Sequence, residues 1–487
     1  MRKWILWIIV VSIIASIMTG CNGCKNSFTS LIGNSSFGGS SGGDSGETPN
    51  LVNDAKHIDT SGTDWYNSIL FDPITYKYYI SGWQRDTTKK LALISINPDL
   101  TLNYSKYYEV QDSSNNTLPD VGLGYLWYKD NSTFYVGRWI SPDETNYHGI
   151  IGEVNKNTGQ ITLKKIFQNI IDIDITSDGT NIYGVSEEGY VLKLDNNYNI
   201  VSSKRESSSG FVNISISNNY IITYDGYNYR VVVIDKNLNN AVRFNNSIMS
   251  HAALVDNNNK LYYIDQNSST NNLVLAKVDI NNLSNPTQDM VKEYSWNSIS
   301  FAHQIGFSLD GNIIIGITTS ETPRKIILLK IKKDDFSIMN QVKLSAKGGG
   351  SSQLWGVLNM MPLPDGGFVI SRFINFGSVG YILKGPSDLN IDNTNCVFDN
   401  TNCVFNVTNP NITALESSTY TISTTNLTLN NVTINEIPVT DYNLVEKNIS
   451  TFVGCLSPAP NILNNRNGGD NQELDNLRGA RRKRSNR

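Results

Sequence analysis

DNNNKLYYID, residues 256–265, and AKVDINNL, residues 276–283, together decide how the rest of the chain is read. A polar turn at Asp256-Asn257 opens into a strand rich in Leu, Tyr and Ile, and a second such strand ends in another polar turn at Asp279. Tyr, Ile, Leu and Val suit a pleated surface packed on both faces, while Gly, Asn and Asp supply turn positions that tolerate left-handed backbone. The same pair of turns recurs along the chain. Asp72-Pro73 stands before KYYIS, Asp130-Asn131 before TFYVG, Asp178-Gly179 before NIYGVS, Asn218-Asn219 before YIITY, Asp310-Gly311 before NIIIGI and Asp365-Gly366 before GFVIS. The second turn recurs in ISINPDL (94–100), GEVNKNTG (152–159), LKLDNNYN (192–199), VVIDKNLN (232–239), LKIKKDDF (329–336) and ILKGPSDL (382–389). The spacing of roughly 40 to 60 residues is that of arrays of four-stranded units. No long segment carries a helical period of 3.6.

Four short strands cannot bury both faces of their sheet alone, whereas sheets stacked radially cover one another and leave only short edges. The expected fold is therefore all-β: a seven-bladed β-propeller of four-stranded antiparallel blades over residues 51–390, with a small C-terminal β extension. The pattern resembles the generic YVTN-like and WD-repeat-like propeller superfamily, in particular bacterial propellers whose third strand ends in a V-I-D turn, as Val233-Ile234-Asp235 does. The resemblance covers about residues 60–390 and its motifs are generic. Neither a WD dipeptide at blade ends nor the repeated Gly-Lys and Trp motif of quinoprotein dehydrogenases is present. A pair of β-sandwiches with a linker is the alternative, against which the even pairing of turns argues.

The N-terminus bears on address. Arg2 and Lys3 precede WILWIIVVSIIASIM, residues 4–18, and then Met18-Thr19-Gly20-Cys21. The apolar run is short for a spanning helix, which needs about 20 residues, and suits a signal peptide. The last four residues resemble the lipobox of bacterial lipoproteins, with Met18 in place of the usual Leu. That resemblance implies a signal peptide at 1–20, lipidation (palmitate-type acylation) at Cys21, and a membrane-anchored chain facing the periplasm or cell exterior. An uncleaved anchor or a simple secretory signal would also place the chain outside the cytoplasm. Residues 21–50 are rich in Gly, Ser and Asn and read as a flexible tether.

Cys24, Cys396, Cys403 and Cys455 remain once Cys21 is set aside, an even number in an exported chain. Cys396 and Cys403 occupy equivalent places in a tandem heptad, DNTNCVF at 392–398 and again at 399–405. A hairpin there would let them pair; a duplication with free thiols is the other reading. Without a CxxC or a nearby His, zinc is disfavoured. Residues 391–465 form a β-rich extension in which Thr, Ser and Asn alternate with Ile, Leu and Val. It would complete the outer edge of the seventh blade, stand as an appendage, or pair with the early segment Leu51 to Ile58. Ring closure needs a strand from one terminus. Residues 466–487 form a basic tail.

Only 17% of the 487 residues are charged, against about 25% in typical domains, and the net charge is −4. This argues against a nucleic-acid surface. No P-loop, nucleophile elbow, HExxH or EF-hand loop occurs, and no cofactor or metal is expected. Propeller ligands usually sit at the mouth of the central channel, lined by the first strand of each blade. By turn register those strands carry Trp65, Trp127, Asp174, Asn213, His251, His303 and Trp355, the candidate ligand-binding residues. Aromatic rings offer flat area to sugar faces or peptide side chains, and histidines suit acid/base work. Channel packing is the competing role for each of them. Two functions follow as expectations: a non-catalytic binding or scaffold module for an envelope protein or glycan, or an envelope lyase or hydrolase using His251 and His303.

Overall fold

The computed structural model describes residues 54–60, 63–208, 210–225, 230–245, 253–267, 269–270, 272–295, 299–308, 310–321, 324–346, 354–363, 365–374, 379–391, 405–417 and 420–454. For strand residues 63–67, 299–303, 354–359, 372–374, 379, 405, 406 and 454 it describes the backbone alone. Seven antiparallel sheets form a ring, a seven-bladed β-propeller. Blade 1 is Thr63–Phe71, Tyr78–Arg85, Lys89–Ile96 and Leu102–Asp112. Blade 2 is Asp120–Tyr128, Thr133–Ser141, His148–Asn155 and Ile161–Phe167. Blade 3 is Asp174–Ser177, Asn181–Val185, Tyr190–Asp195 and Ile200–Arg205. Blade 4 is Phe211–Ile216, Tyr220–Asp225, Val231–Asp235 and Ala241–Phe244. Blade 5 is Ala253–Val255, Lys260–Gln266, Leu273–Asp279 and Thr287–Tyr294. Blade 6 is Ile299–Phe307, Ile313–Thr319, Ile326–Ile331 and Ile338–Ala346. Blade 7 has Leu354–Pro362, Phe368–Ile374 and Val379–Gly385.

The fourth strand of blade 7 comes from the other end of the propeller sequence. Asp54–Thr60 pairs antiparallel with Val379–Gly385, Asp54 opposite Lys384 and Ile58 opposite Gly380. Ala55 enters the core between blades 6 and 7, and Ile58 the core between blades 7 and 1; both are fully buried. The ring is thus closed by side chains on both faces of one N-terminal strand.

Each blade also carries a fifth, outermost strand, one more than the four expected. All seven come from the C-terminal segment, which runs round the ring against the direction of the blades. Phe405–Thr408 pairs with blade 6, Ala414–Glu416 with blade 5, Thr424–Leu427 with blade 4 and Asn430–Asn431 with blade 3. Glu436–Ile437 then pairs with blade 2, Tyr442–Lys447 with blade 1, and Thr451–Gly454 with the closing strand of blade 7. This girdle explains the alternating composition of the segment. Val407, Ile412, Tyr420, Ile422, Leu427 and Leu444 pack onto the blade cores while the polar residues between them face outward. At Ile412 the attachment is doubled: the Gln341 amide accepts from its N–H at 2.7 Å and donates to its carbonyl at 3.2 Å. Cross-strand ion pairs tie the girdle to three blades, Lys106 with Glu446 and Lys165 with Glu436 on the diagonal and Lys292 with Glu416 directly opposite.

Strand alternation builds the core. In IILLKI, Ile326 and Leu328 face blade 7 while Ile327, Leu329 and Ile331 face blade 5. Successive side chains on a strand point to opposite faces, and here both faces are covered, so the run is apolar throughout.

The turns follow two rules. After the first strands, Gly179, Gly311, Gly366 and Asn259 hold the left-handed position with φ of 84°, 79°, 82° and 56°. After the third strands that position is taken by Leu100, Tyr198, Leu238, Phe336 and Leu389, with φ between 58° and 65°, and only Gly159 is a glycine. Left-handed backbone costs an L-residue roughly 1–2 kcal/mol. Burial offsets it, since Leu100, Leu238, Phe336 and Leu389 are at most 1% exposed beneath the blades. The expectation that Gly, Asn and Asp fill these positions therefore holds at Gly179, Gly311, Gly366 and Asn259, fails in the blade 1 turn, where Tyr76 takes the left-handed position with φ 57°, and gives way to large side chains in most of the second set.

Both turn sets lie on one face of the ring, the turn face. The opposite face, where the chain passes from second to third strand and from blade to blade, is the crossover face. On the turn face a lysine of one blade reaches an aspartate of the preceding blade at three alternate junctions: Lys156 to Asp72, Lys236 to Asp178 and Lys333 to Asp256. Each ammonium also lies over an aromatic ring, Tyr128, Tyr183 and Tyr262 respectively.

Candidate functional site

The crossover face of blades 1 to 3 gathers aromatic and charged side chains that the turn register did not single out. In blade 2 the first strand bulges between Leu123 and Leu126 as it pairs with the second. Gly122 and Gly124 leave its surface bare there. Trp139, paired with Gly122, lays its indole across that strand: a Cβ at Gly122 would stand 2.8 Å from Trp139 Cη2. The indole N–H of Trp139 donates to Asp120 Oδ1 at 3.2 Å, the Tyr147 hydroxyl donates to Asp120 Oδ2 at 3.0 Å, and Lys89 Nζ lies 3.0 Å from Asp120 Oδ1. Lys89 in turn stands 5.1 Å over the Trp83 ring. Trp83, Trp139, Tyr147 and Tyr125 are all half-buried, which leaves ring surface in solvent.

Behind this shelf lies a denser polar cluster. The Arg138 guanidinium stacks 4.7 Å from the Trp139 ring, with Nε 3.4 Å from Asp172 Oδ1 and Nη1 3.9 Å from Asp174 Oδ1. Asp172 and Asn213 adopt left-handed backbone, φ 52° and 53°, which short polar residues tolerate. That geometry turns the Asn213 N–H onto Asp174 Oδ2 at 2.8 Å. Asp174 is 3% exposed; its Oδ1 and Arg138 Nε make no hydrogen bond among the described residues, and neither does the buried Gln84 amide of blade 1. Gly124 makes room, since a Cβ there would lie 3.0 Å from Asp174 Oδ1.

The electrostatics are those of several carboxylates sharing one cation. Burial raises the Asp174 carboxyl to about 6; Asp172 adds to this, and Arg138 and the Asn213 N–H oppose it. Burial likewise raises Glu188 to about 7, against the stabilising N–H of Ile171. For Arg138, burial works against the charge, but Asp172, Asp174, Tyr125 and Glu187 outweigh it and hold the guanidinium above its ordinary value. The cluster offers a buried acceptor, a fixed cation and flat aromatic surface, the components of a site that orients a polar ligand. Among the described residues no three His, Cys, Asp or Glu side chains come together to hold a metal ion.

The sequence-chosen residues divide accordingly. Asp174 and Asn213 meet in this cluster. Trp127 is core: it is 9% exposed, packs between blades 2 and 3, and donates its indole N–H to the Ser177 carbonyl at 2.9 Å. Trp65 lies on the first strand of blade 1 opposite Trp83, His303 on that of blade 6 and Trp355 on that of blade 7 opposite Phe373, each described by backbone alone. His251, Cys21, Cys396 and Cys403 lie outside the described residues. Trp83, Asp120, Arg138 and Trp139 were missed because three of them sit on second strands. The legible signal was the G-L-G at 122–124, glycines on an inner strand facing bulky partners.

No protein-family model matches the chain, and no curated protein matches it. Among solved structures 274 chains match. One, described as the crystal structure of the Saccharomyces cerevisiae Sqt1, superposes with a TM-score of 0.42 at 9% sequence identity, over 69% of this chain and 100% of that one.

Proposed function

We propose that this chain is a non-catalytic binding module of the cell envelope, tethered to a membrane by lipid on Cys21 and facing the periplasm or exterior. Its ligand, an envelope glycan or protein, is held on the crossover face of blades 1 to 3. The observation that carries this reading is the half-buried shelf of Trp83, Trp139 and Tyr147 beside half-buried Arg138 and buried Asp174, whose Nε and Oδ1 are held in long ion pairs but make no hydrogen bond among the described residues. Buried polar atoms are nearly always hydrogen-bonded, so atoms of this kind beside half-buried aromatic rings mark where a ligand's hydroxyl or amide groups would dock. The propeller fold suits such a role, because a rigid ring presents crossover loops from several blades to one ligand.

The test uses the full chain with Cys21→Ser, which removes lipid-driven partitioning, mixed with isolated envelope polysaccharide and with crosslinked envelope proteins. Co-sedimentation or capture that drops at least tenfold in Trp83→Ala/Trp139→Ala supports the proposal. Capture that is absent, or indifferent to both substitutions, overturns it.

A further inference from the structure

We infer that the girdle is a glycosylated rim, with Asn426, Asn431 and Asn448 as acceptors of N-linked oligosaccharide. Five N-x-[ST] tripeptides fall within residues 406–450: NVT, NIT, NLT, NVT and NIS. The tripeptide marks an acceptor asparagine in exported chains, where the hydroxyl two residues on is read with the amide. The tripeptide also occurs on exposed loops elsewhere, at Asn131 and Asn282 for example. Exposure distinguishes the girdle: at 426–428, 431–433 and 448–450, at or just beyond the ends of the outer strands, the middle residue is half-buried while the asparagine and the hydroxyl residue are exposed.

Leu427 packs on the blade core while Asn426 and Thr428 are exposed. Val432 is half-buried and its backbone is bound to blade 3, its N–H donating to the Ser203 carbonyl at 3.2 Å and its carbonyl accepting from Ser203 Oγ at 2.5 Å, while Asn431 and Thr433 are exposed. Asn448 and Ser450 are exposed on either side of half-buried Ile449. Asn411 is a poorer acceptor, because its partner Thr413 shares its hydroxyl with Ser295 at 2.6 Å. The fold removes other matches altogether. Asn213 is half-buried with its N–H on Asp174, and Asn267 is 5% exposed with Nδ2 donating to Glu293 at 2.7 Å.

The reaction needs a polyprenyl-phosphate-linked oligosaccharide and its transferase outside the cytoplasm. The asparagine Nδ2 attacks C1 of the first sugar, the C1–O bond to phosphate breaks, the lipid phosphate leaves with the electron pair, and one Nδ2 proton passes to a base. Nothing is oxidised or reduced. Glycans on this rim would cover the outer sheet edges, which otherwise invite pairing with other chains, and leave the crossover face open.

The inference rests on the export reading, and one experiment separates the two. The full chain is purified from its native host and its proteolytic peptides are weighed, together with the N-terminal peptide. Sugar mass on any of Asn426, Asn431 and Asn448, with none on Asn213 and Asn267, supports the inference, and Thr428→Val, Thr433→Val or Ser450→Ala should remove it from the matching site alone. Unmodified girdle asparagines on a chain whose Cys21 carries lipid overturn the inference while leaving export intact. Unmodified asparagines on a chain with an unprocessed N-terminus overturn both. Sugar on Asn213 or Asn267 overturns the claim that the folded rim selects the sites.

Discussion

Lys156 Nζ lies 3.3 Å from Asp72 Oδ1, and the two side chains expose 1% and 0% of their surface, so blades 1 and 2 share a buried ion pair on the turn face. The Tyr128 and Phe134 rings each lie 4.5 Å from the same ammonium. Burial lowers the Lys156 pKa, and Asp72 opposes that shift.

Removing one partner of a buried pair strands the other charge in apolar surroundings. Asp72→Ala should therefore destabilise the protein by about 3–5 kcal/mol, while Asp72→Leu/Lys156→Met should recover most of the loss. Denaturant midpoints of the three chains check this; a double variant as unstable as the single one would contradict it.

The girdle supplies a contrast of magnitudes. Ile412 is 3% exposed in the core between blades 5 and 6, so Ile412→Ala should cost about 2–5 kcal/mol. Lys106 and Glu446 form their pair in solvent, and Glu446→Gln should cost less than about 1 kcal/mol. Thermal unfolding of both variants tests whether packing rather than charge holds the girdle.

Asp174 sets a pH dependence of unusual sign. Its carboxyl stands near 6 in the folded protein against 3.8 for a free one, so between those values the folded state binds the proton that the unfolded state has lost. Stability from this group is fully present below pH 3.8 and lost as pH rises through 6, by about 3 kcal/mol. Asp174→Asn should flatten that slope, so unfolding free energies at pH 4.5 and pH 7 should differ less in the variant than in the parent.

Gly122→Ala probes the aromatic shelf. The new methyl would meet the Trp139 ring at 2.8 Å and 2.9 Å, and the indole can give way only by disturbing its N–H bond to Asp120 and its stack with Arg138. Stability should fall by about 1–3 kcal/mol, Trp139 emission should shift, and ligand capture should fall as it does in Trp139→Ala.

Much of the ring was legible. The turns Asp178-Gly179 and Asp310-Gly311 announce their strands because a left-handed position on an exposed turn needs Gly or Asn. The third-strand turns were found from their polar residues, but the left-handed residues Leu238 and Phe336 were not, since their strain is relieved only by tertiary burial. The girdle was legible as alternating strands; its path was not, because each short stretch matches many blade edges and only the assembled ring supplies the order. The site was half-legible. Asp174 and Asn213 lie on inner strands, as the register required, whereas Arg138 and Trp139 reach the crossover face because the bulge at Leu123 to Leu126 and the bare glycines let second-strand side chains across.

One-sided binding is the central claim, and site-specific photo-crosslinking measures it most directly. A photoreactive residue placed at Tyr147 on the crossover face, and another at Asn197 on the turn face, would be irradiated in intact envelopes of the native host. Capture of an envelope protein or glycan from Tyr147, at least tenfold above that from Asn197, is the predicted result. Equal capture from both positions, or capture from Asn197 alone, would contradict the assignment of the crossover face as the binding surface.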